Sequence, residues 1–172
     1  MGKIILIGYM ASGKTTIAKI VAEKLGVSPV DLDNLIEKET KLSIENIFIE
    51  KGEIYFRKIE HQLFKKLLES KESLVISTGG GTPCYANNHL FLNGEGVISI
   101  YLKASIDLLY DRLLTEKAKR PLVTDKNEEE LKDFIAKQLF ERSYYYNKAT
   151  FKISIDGKNS EDIAAEILEV LV

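Results

Sequence analysis

Cysteine is nearly absent from this sequence, and so are the features that direct a chain to membranes or nucleic acids. The single cysteine, Cys84, excludes an intramolecular disulfide. No apolar run is long enough to span a membrane, and no segment near residue 1 resembles a secretion signal. The net charge is -2 and the charges are scattered, so the basic stripe typical of nucleic-acid binding is missing. We therefore expect a cytoplasmic monomer without nucleic-acid or membrane partners.

Linkers and low-complexity tracts are also missing. The chain has 172 residues, of which 45% are hydrophobic, which is enough for one full core and leaves little room for a second. No stretch rich in Pro, Gly or Ser divides it. We therefore predict a single domain over residues 1–172.

What the sequence does contain is a glycine-rich motif near its start. Residues 8–15 read GYMASGKT, which fits two glycines five positions apart followed by Lys and Thr. An apolar run at 4–7 predicts a buried strand before the motif, and helical spacing over 16–25 predicts a helix after it. This context favours a phosphate-binding loop over an unliganded glycine turn.

The motif indicates a nucleoside triphosphate as ligand. A turn with little side-chain bulk lets successive backbone N–H groups face one anion, and the helix that follows adds its positive end. Lys14 would reach the β- and γ-phosphates, and the Thr15 hydroxyl would bind the Mg²⁺ ion that bridges them.

Apolar and helical segments alternate along the rest of the chain. We predict strands at about 3–8, 29–31, 74–77, 97–102 and 150–155, with helices between them. This alternation is typical of an α/β protein with a parallel sheet covered on both faces, whose ligands bind beyond the C-terminal strand ends. Polar stretches at 33–60 and 115–130 interrupt the pattern and are interpreted as excursions over the substrate and the nucleotide.

Two carboxylates follow the second predicted strand. In an extended chain Asp31 and Asp33 would face the same side, away from Leu32. One could hold Mg²⁺ through a water molecule, and the other could accept a hydrogen bond from a hydroxyl group that attacks the γ-phosphate. The alternative is that Asp33 merely caps the helix that follows.

Two further segments suggest a small acidic substrate. On a helix predicted over 53–69, Arg57 lies at the edge of the apolar stripe formed by residues 56, 59, 63 and 67, where Glu60 could orient it toward a carboxylate. A solvated surface arginine is the alternative. The third strand runs into Gly79-Gly80-Gly81, which indicates close approach of either a hydroxylated ligand or the phosphate loop.

Taken in order, six segments resemble the shikimate kinase family. They are residues 8–16, 31–33, 56–60, 79–81, 120–122 and 142–149. The phosphate loop alone is shared with many nucleotide-binding proteins, whereas the combination with Phe-Arg, three glycines and Arg-Pro-Leu is much more specific. The resemblance covers nearly the whole chain.

The resemblance implies a P-loop NTPase fold like that of nucleoside monophosphate kinases. This fold has a five-stranded parallel sheet with helices on both faces, a substrate-binding excursion at about 33–60 and a lid at about 113–125. It also implies transfer of the ATP γ-phosphate to the 3-hydroxyl group of shikimate, with Mg²⁺ as cofactor.

Site residues are carried over from the family by position. The resemblance implies that shikimate is bound by Asp33, Arg57, Gly79, Gly80, Gly81 and Arg142. It implies ATP binding by Ala11, Ser12, Gly13, Lys14, Thr15, Thr16, Arg112 and Arg120, with Arg112 stacked on the adenine. Thr15 would bind Mg²⁺ directly and Asp31 through water. Lys14, Asp33 and Arg120 would be the catalytic residues.

The sequence departs from the family pattern in two places, and two other functions stay open. The family often has a proline in the loop after the last strand, where residues 156–159 read DGKN, and commonly has one shortly after the position of Arg142, where residues 143–146 read SYYY. A kinase for another hydroxy acid such as gluconate would share the phosphate loop but should not need both Arg57 and Arg142. A catalytically silent ATP-binding module would not need intact Lys14, Asp31 and Asp33.

Overall fold

The computed structural model describes residues 2–116 and 126–172, and these residues form one sheet of five parallel strands. The strands are β1 (Lys3–Ile7), β2 (Ser28–Asp31), β3 (Leu74–Ser77), β4 (Val97–Lys103) and β5 (Phe151–Ser154). Their order is β2-β3-β1-β4-β5, and every neighbouring pair is parallel. The predicted five-stranded parallel sheet is confirmed, with β1 at its centre.

The sheet separates two apolar cores. On β1, Ile5 and Ile7 belong to one core, whereas Ile4 and Leu6 belong to the other. All four are at most 4% exposed. Because successive side chains of a strand point to opposite faces, a continuous apolar run such as this one requires cover on both sides.

Seven α-helices within the described residues provide that cover. They are α1 (Lys14–Leu25), α2 (Leu32–Thr40), α3 (Ile44–Glu50), α4 (Glu53–Glu69), α5 (Ile106–Thr115), α6 (Glu128–Tyr146) and α7 (Ser160–Val170). Buried residues of α1 and α7 join the core on one face, and those of α2 to α6 join the core on the other. The site described below lies between these layers, at the C-terminal ends of the strands.

Short polar side chains determine where several helices begin. At the N-terminus of α2, a carboxylate oxygen of Asp31 accepts a hydrogen bond from the Asn34 backbone N–H. The same type of cap is made by Ser43, Ser105, Asn127 and Asn159. Such caps satisfy backbone donors that have no partner inside the helix.

Helix α4 has the predicted bounds but a different buried face. Its fully buried residues are Phe56, Glu60 and Phe64, four positions apart and thus on one side of the helix. The apolar residues predicted to form the stripe, at 59, 63 and 67, are only half-buried beside it. The prediction was therefore partly wrong, and an acidic residue stands at the centre of the buried face.

Several predictions are not decided by this architecture. Residues 33–60, the predicted substrate excursion, comprise most of α2, all of α3 and the start of α4. Most of the predicted lid, including Arg120, lies outside the described residues.

None of the helices in the described ranges is long and apolar enough to cross a membrane. The single-domain organisation, cytoplasmic location, monomeric state and lack of nucleic-acid partners stay predictions.

Candidate active site

The loop between β1 and α1 has the backbone conformation of an anion-binding turn. Ala11 and Gly13 have φ angles of +64° and +89°, both in the left-handed region. Left-handed residues in a turn allow neighbouring N–H groups to face one anion, and α1 starts immediately afterwards. A β-carbon on Gly8 would lie 2.9 Å from the Leu102 carbonyl oxygen, so no side chain fits there. These features support the predicted phosphate site.

Lys14 places its positive charge on this loop. The residue is 8% exposed, and its ammonium group donates hydrogen bonds to the carbonyl oxygens of Gly8 at 2.8 Å and Tyr9 at 2.9 Å. The side chain therefore folds back over residues 8–14 instead of extending into solvent. Cation and backbone donors occupy one small region, which is what a polyphosphate requires.

Thr15 and Asp31, the two predicted metal ligands, are in direct contact. The Thr15 hydroxyl donates to Asp31 Oδ2 at 2.6 Å, and the Ser77 hydroxyl donates to the same oxygen at 3.1 Å. Asp31 and Ser77 are register partners at the ends of β2 and β3. The outcome is a group of hard oxygen donors beside the first turn of α1, a donor type that Mg²⁺ prefers.

Asp31 and Asp33 do not follow the strand alternation that was predicted for them, and that prediction was wrong. Only Asp31 is extended, at the end of β2, because α2 already begins at Leu32. Asp33 therefore lies in the first helical turn, and strand alternation does not orient it. The helix cap is also Asp31 and not Asp33. Both carboxylates nevertheless line the same cavity, because the strand end and the helix start are adjacent.

The environment of Asp33 favours its protonated form. Burial, followed by the charges of Asp31 and Glu60, raises the pKa of this carboxyl from 3.8 to about 6, although Lys14 opposes the shift. Desolvation and neighbouring carboxylates both disfavour a further negative charge. Such a carboxyl is still mostly ionised at pH 7 but is more basic than an exposed aspartate.

A cavity of about 450 Å³ joins the phosphate loop to these carboxylates. Its lining includes the candidate residues Ala11, Gly13, Lys14, Thr15, Thr16, Asp31, Asp33, Gly79, Gly80 and Arg112. Ser12 is fully buried beneath the loop. Arg112 donates a hydrogen bond to the Ala11 carbonyl oxygen at 3.0 Å, so α5 is tied to the phosphate loop.

Arg57 is held by Glu60, as the sequence predicted, but Glu60 is buried. Arg57 Nη1 donates to Glu60 Oε1 at 2.9 Å, and the Thr82 hydroxyl donates to Glu60 Oε2 at 2.8 Å. Glu60 is 1% exposed. A buried carboxylate requires such partners, which makes Arg57 a fixed part of the interior and not a solvated surface arginine.

The three glycines of 79–81 let three charged side chains approach the backbone. A β-carbon would lie 3.1 Å from Asp33 Oδ1 at Gly79, 3.0 Å from Arg142 Nη1 at Gly80 and 2.8 Å from Arg57 Nη2 at Gly81. At Gly80 it would also lie 3.4 Å from the Met10 nitrogen. The segment therefore packs against both the phosphate loop and the charged groups, in agreement with the interpretation by packing, and the approach of a hydroxylated ligand stays a prediction.

Tyr146 is a residue whose role the sequence analysis missed. It is fully buried, and its hydroxyl donates to the Gly80 carbonyl oxygen at 2.6 Å. Its ring lies against Tyr101, with centroids 5.0 Å apart. One signal was available in the sequence, because Tyr146 is four residues after Arg142 and therefore on the same face of α6. Ser77 was missed as well, although a hydroxyl at a strand end is also a recognisable signal.

The chain is similar to shikimate kinases along its length. The family model described as shikimate kinase matches residues 10–172. The shikimate kinase of Flavobacterium johnsoniae is 52% identical over 171 residues, which cover 99% of each chain. That of Flavobacterium psychrophilum is 50% identical over 171 residues, with the same coverage.

Solved structures agree with this similarity. A shikimate kinase from Bacteroides thetaiotaomicron matches with a TM-score of 0.90 at 36% identity, covering 99% of this chain and 98% of that one. One from Acinetobacter baumannii in complex with shikimate matches with a TM-score of 0.88 at 32% identity, covering 99% and 93%. A gluconokinase from Sinorhizobium meliloti, at 16% identity and a TM-score of 0.59, shares the fold alone.

Proposed function

This chain belongs to the shikimate kinase family and is an ATP-dependent kinase for shikimate, and we propose that it phosphorylates the 3-hydroxyl group, giving shikimate 3-phosphate and ADP. The observation that carries the proposal is the convergence of Arg57, Arg142 and Asp33 on residues 79–81, directly beside the phosphate loop. Two arginines suit a carboxylate, and a carboxylate with glycine backbone suits hydroxyl groups. A small polyhydroxylated acid fits that combination.

On the nucleotide side, the chain supplies charge and position. Backbone N–H groups of residues 11–16 and the Lys14 ammonium would hold the phosphates, and Arg112 at the cavity wall would contact the adenine. Phosphoryl transfer depends on positioning and charge neutralisation more than on covalent chemistry. Arg120, which the sequence assigns to the same task, lies outside the described residues.

The donors beside α1 fit a magnesium ion. Thr15 Oγ1 and Asp31 Oδ2 are 2.6 Å apart, and we propose that Thr15 binds Mg²⁺ directly and Asp31 through water. Within residues 2–116 and 126–172, no group of three or more His, Cys, Asp or Glu side chains has an arrangement that could hold a metal ion. Phosphates and water would supply the remaining ligands. When bound, Mg²⁺ would neutralise charge on the β- and γ-phosphates.

Asp33 has the position and basicity to assist the substrate hydroxyl. It lies at the junction of the cavity and the Gly79 backbone, and its pKa is raised to about 6, chiefly by burial. A base whose pKa lies near the working pH combines a large ionised fraction with useful proton affinity. We assign Asp33 the role of orienting the hydroxyl and accepting its proton, while the paired arginines hold the substrate carboxylate.

A coupled assay of ADP release across several acceptors tests this function. Shikimate, gluconate, pantothenate and nucleoside monophosphates are each supplied with ATP and Mg²⁺ to the full chain. We expect turnover with shikimate at a kcat/KM at least about 10³-fold above that for the others, since an acceptor whose hydroxyl and acidic groups are spaced differently leaves buried polar groups of the site unpaired. Preference for gluconate would refute the proposal, and turnover with none would favour a silent ATP-binding module.

A further inference from the structure

Tyr85 covers one face of the Arg57 guanidinium. The central carbon of that group lies 3.8 Å from the centroid of the Tyr85 ring. Its Nη1 is bonded to Glu60 at 2.9 Å, whereas the buried Nε has no hydrogen-bond partner within the described residues. An oxygen of Glu53 lies 3.6 Å from Nε. Arg57 is thus held on one face by Tyr85 and at one edge by Glu60. The sequence predicted only the contact with Glu60.

The loop that carries Tyr85 is anchored on both sides by buried polar residues. At its start, the Thr82 hydroxyl donates to Glu60 Oε2 at 2.8 Å. At its end, the Asn88 amide donates to the Thr82 carbonyl oxygen at 2.9 Å, and Asn88 Oδ1 lies 2.6 Å from His61 Nδ1. Thr82 and Asn88 are fully buried. The loop therefore shares one hydrogen-bond network with the carboxylate that holds Arg57.

The two residues that follow Tyr85 have a strained backbone conformation. Ala86 and Asn87 have φ angles of +51° and +56°, a left-handed conformation that is costly for residues with a β-carbon. Two such residues in a row persist only where surrounding contacts determine the backbone, as the Asn88 anchors do here. The strained turn returns the chain to the Asn88 anchor while Tyr85 remains extended over Arg57.

We propose that Tyr85 is a positioning residue that sets the orientation of Arg57 and thereby selects a planar carboxylate on the substrate. The proposal rests on the proposed function, because it deepens the role of the same site. A guanidinium stacked on an aromatic ring keeps its plane fixed, and its N–H groups remain available only at the edges. An acceptor with two parallel oxygens, such as a carboxylate, matches two N–H groups at one edge of a guanidinium. A flexible arginine would accept hydroxyl or single-oxygen ligands nearly as well.

The test compares three single variants by steady-state kinetics with shikimate and ATP. In Tyr85→Leu we expect the KM for shikimate to rise about five- to tenfold, with kcat and the KM for ATP within about twofold, because a stacked cation is worth roughly that much at a half-exposed site. Tyr85→Phe keeps the aromatic ring, so its KM for shikimate should equal that of the unaltered chain. Tyr55→Leu is the matched control, since Tyr55 is 37% exposed and Tyr85 is 39% exposed.

A double variant shows whether Tyr85 acts through Arg57. The effect of Tyr85→Leu on kcat/KM for shikimate should disappear in an Arg57→Ala background, since coupled residues are not additive. An unchanged KM in Tyr85→Leu, failure of Tyr85→Phe to restore it, or a full additional loss in the Arg57→Ala background would each overturn the proposal. If the unaltered chain did not phosphorylate shikimate, the proposed function itself would be refuted. Failure of the proposed function and failure of the role of Tyr85 are therefore distinguishable.

Discussion

The phosphate side and the acid side of the candidate active site are constructed in different ways. The phosphate side is almost contiguous in sequence, since residues 8–16 supply the loop, the ammonium and a hydroxyl. The acid side takes Arg57 from α4, residues 79–81 from the end of β3 and Arg142 from α6. Its parts are joined by side-chain hydrogen bonds to the buried Glu60 and to the Gly80 carbonyl.

The two sides should be sensitive to different kinds of substitution. In the proposed site, backbone N–H groups, which no side-chain substitution removes, would hold the phosphates together with Lys14. The substrate carboxylate would be held by Arg57 and Arg142, two long side chains whose positions depend on other residues. Changes remote from the substrate should therefore alter binding of the acid more easily than binding of the nucleotide.

The largest effect is expected at Asp33, where the two sides meet. Asp33→Asn should lower kcat by at least about 10²-fold, because a positioned base contributes this much to proton transfer. Steady-state ADP release with saturating shikimate and ATP measures it. Glu37→Gln, one turn further along α2, is the control and should retain most of the activity. Near-normal turnover in Asp33→Asn would remove Asp33 from the base role.

Substitution of Arg57 should impair the acid side and leave the phosphate side intact. Arg57→Ala is expected to weaken shikimate binding by about 10- to 100-fold, the worth of a charged hydrogen bond, and to leave ATP affinity almost unchanged. Calorimetry on the free enzyme measures both affinities.

Because Arg57→Ala leaves the buried Glu60 without its cation, the double variant Arg57→Ala/Glu60→Gln provides the control. It should fold more stably than Arg57→Ala and show the same loss of shikimate affinity. A parallel loss of ATP affinity in either variant would contradict the separation of the two sides.

A smaller effect should come from adding one methyl group beside Arg57. In Gly81→Ala the new β-carbon would lie 2.8 Å from Arg57 Nη2, so the guanidinium must move, and we expect roughly a tenfold rise in the KM for shikimate. Gly94→Ala is the matched control, because no atom lies within 4 Å of its added β-carbon. Equal KM values in the two variants would show that Arg57 needs no fixed position.

The smallest effect concerns stability. Since the pKa of Asp33 is raised from 3.8 to about 6 in the folded protein, chiefly by burial, folding favours its protonated form. That contribution is present below pH 4 and is lost as the pH rises through about 6. Asp33→Asn changes the free energy of unfolding at each pH. We expect this change to be more stabilising at pH 7.5 than at pH 4, by about 1–3 kcal/mol. Urea unfolding without Mg²⁺ and nucleotide measures it, and a difference independent of pH would contradict it.

Most of the phosphate side was predictable from the sequence because its determinants are local. Glycine spacing, an apolar strand before it and a helix after it are all fixed within about 25 residues. The strand positions were predictable for a similar reason, since continuous apolar runs in an alternating pattern indicate a buried parallel sheet. The contact of Thr15 with Asp31 also agrees with the sequence, because both lie at C-terminal strand ends or just beyond them.

The acid side was predictable only in its residue types. The pairing of Arg57 with Glu60 follows from their spacing of three, but the burial of Glu60 does not, because it depends on Thr82 from another segment. The alternation argument for Asp33 was wrong because nothing in residues 31–33 shows that the strand ends at Asp31. Tyr85 stacks on Arg57, which is 28 residues earlier and therefore beyond the reach of helical spacing. Tyr146 lies four residues after Arg142, a spacing that does place both on one face of α6.

The strands along the chain, the phosphate loop and the types of charged residue that a small acid requires could all be predicted from the sequence. The burial of Glu60, the approach of Asp33 to the cavity from a helix, and the contacts of Tyr85 with Arg57 and of Tyr146 with Gly80 became visible only in the folded chain. These two groups of features differ in the sequence distance over which they are set. Backbone conformation and amphipathic periodicity are set by near neighbours, whereas the desolvation of a charge and the orientation of a guanidinium depend on segments that meet only when the sheet assembles.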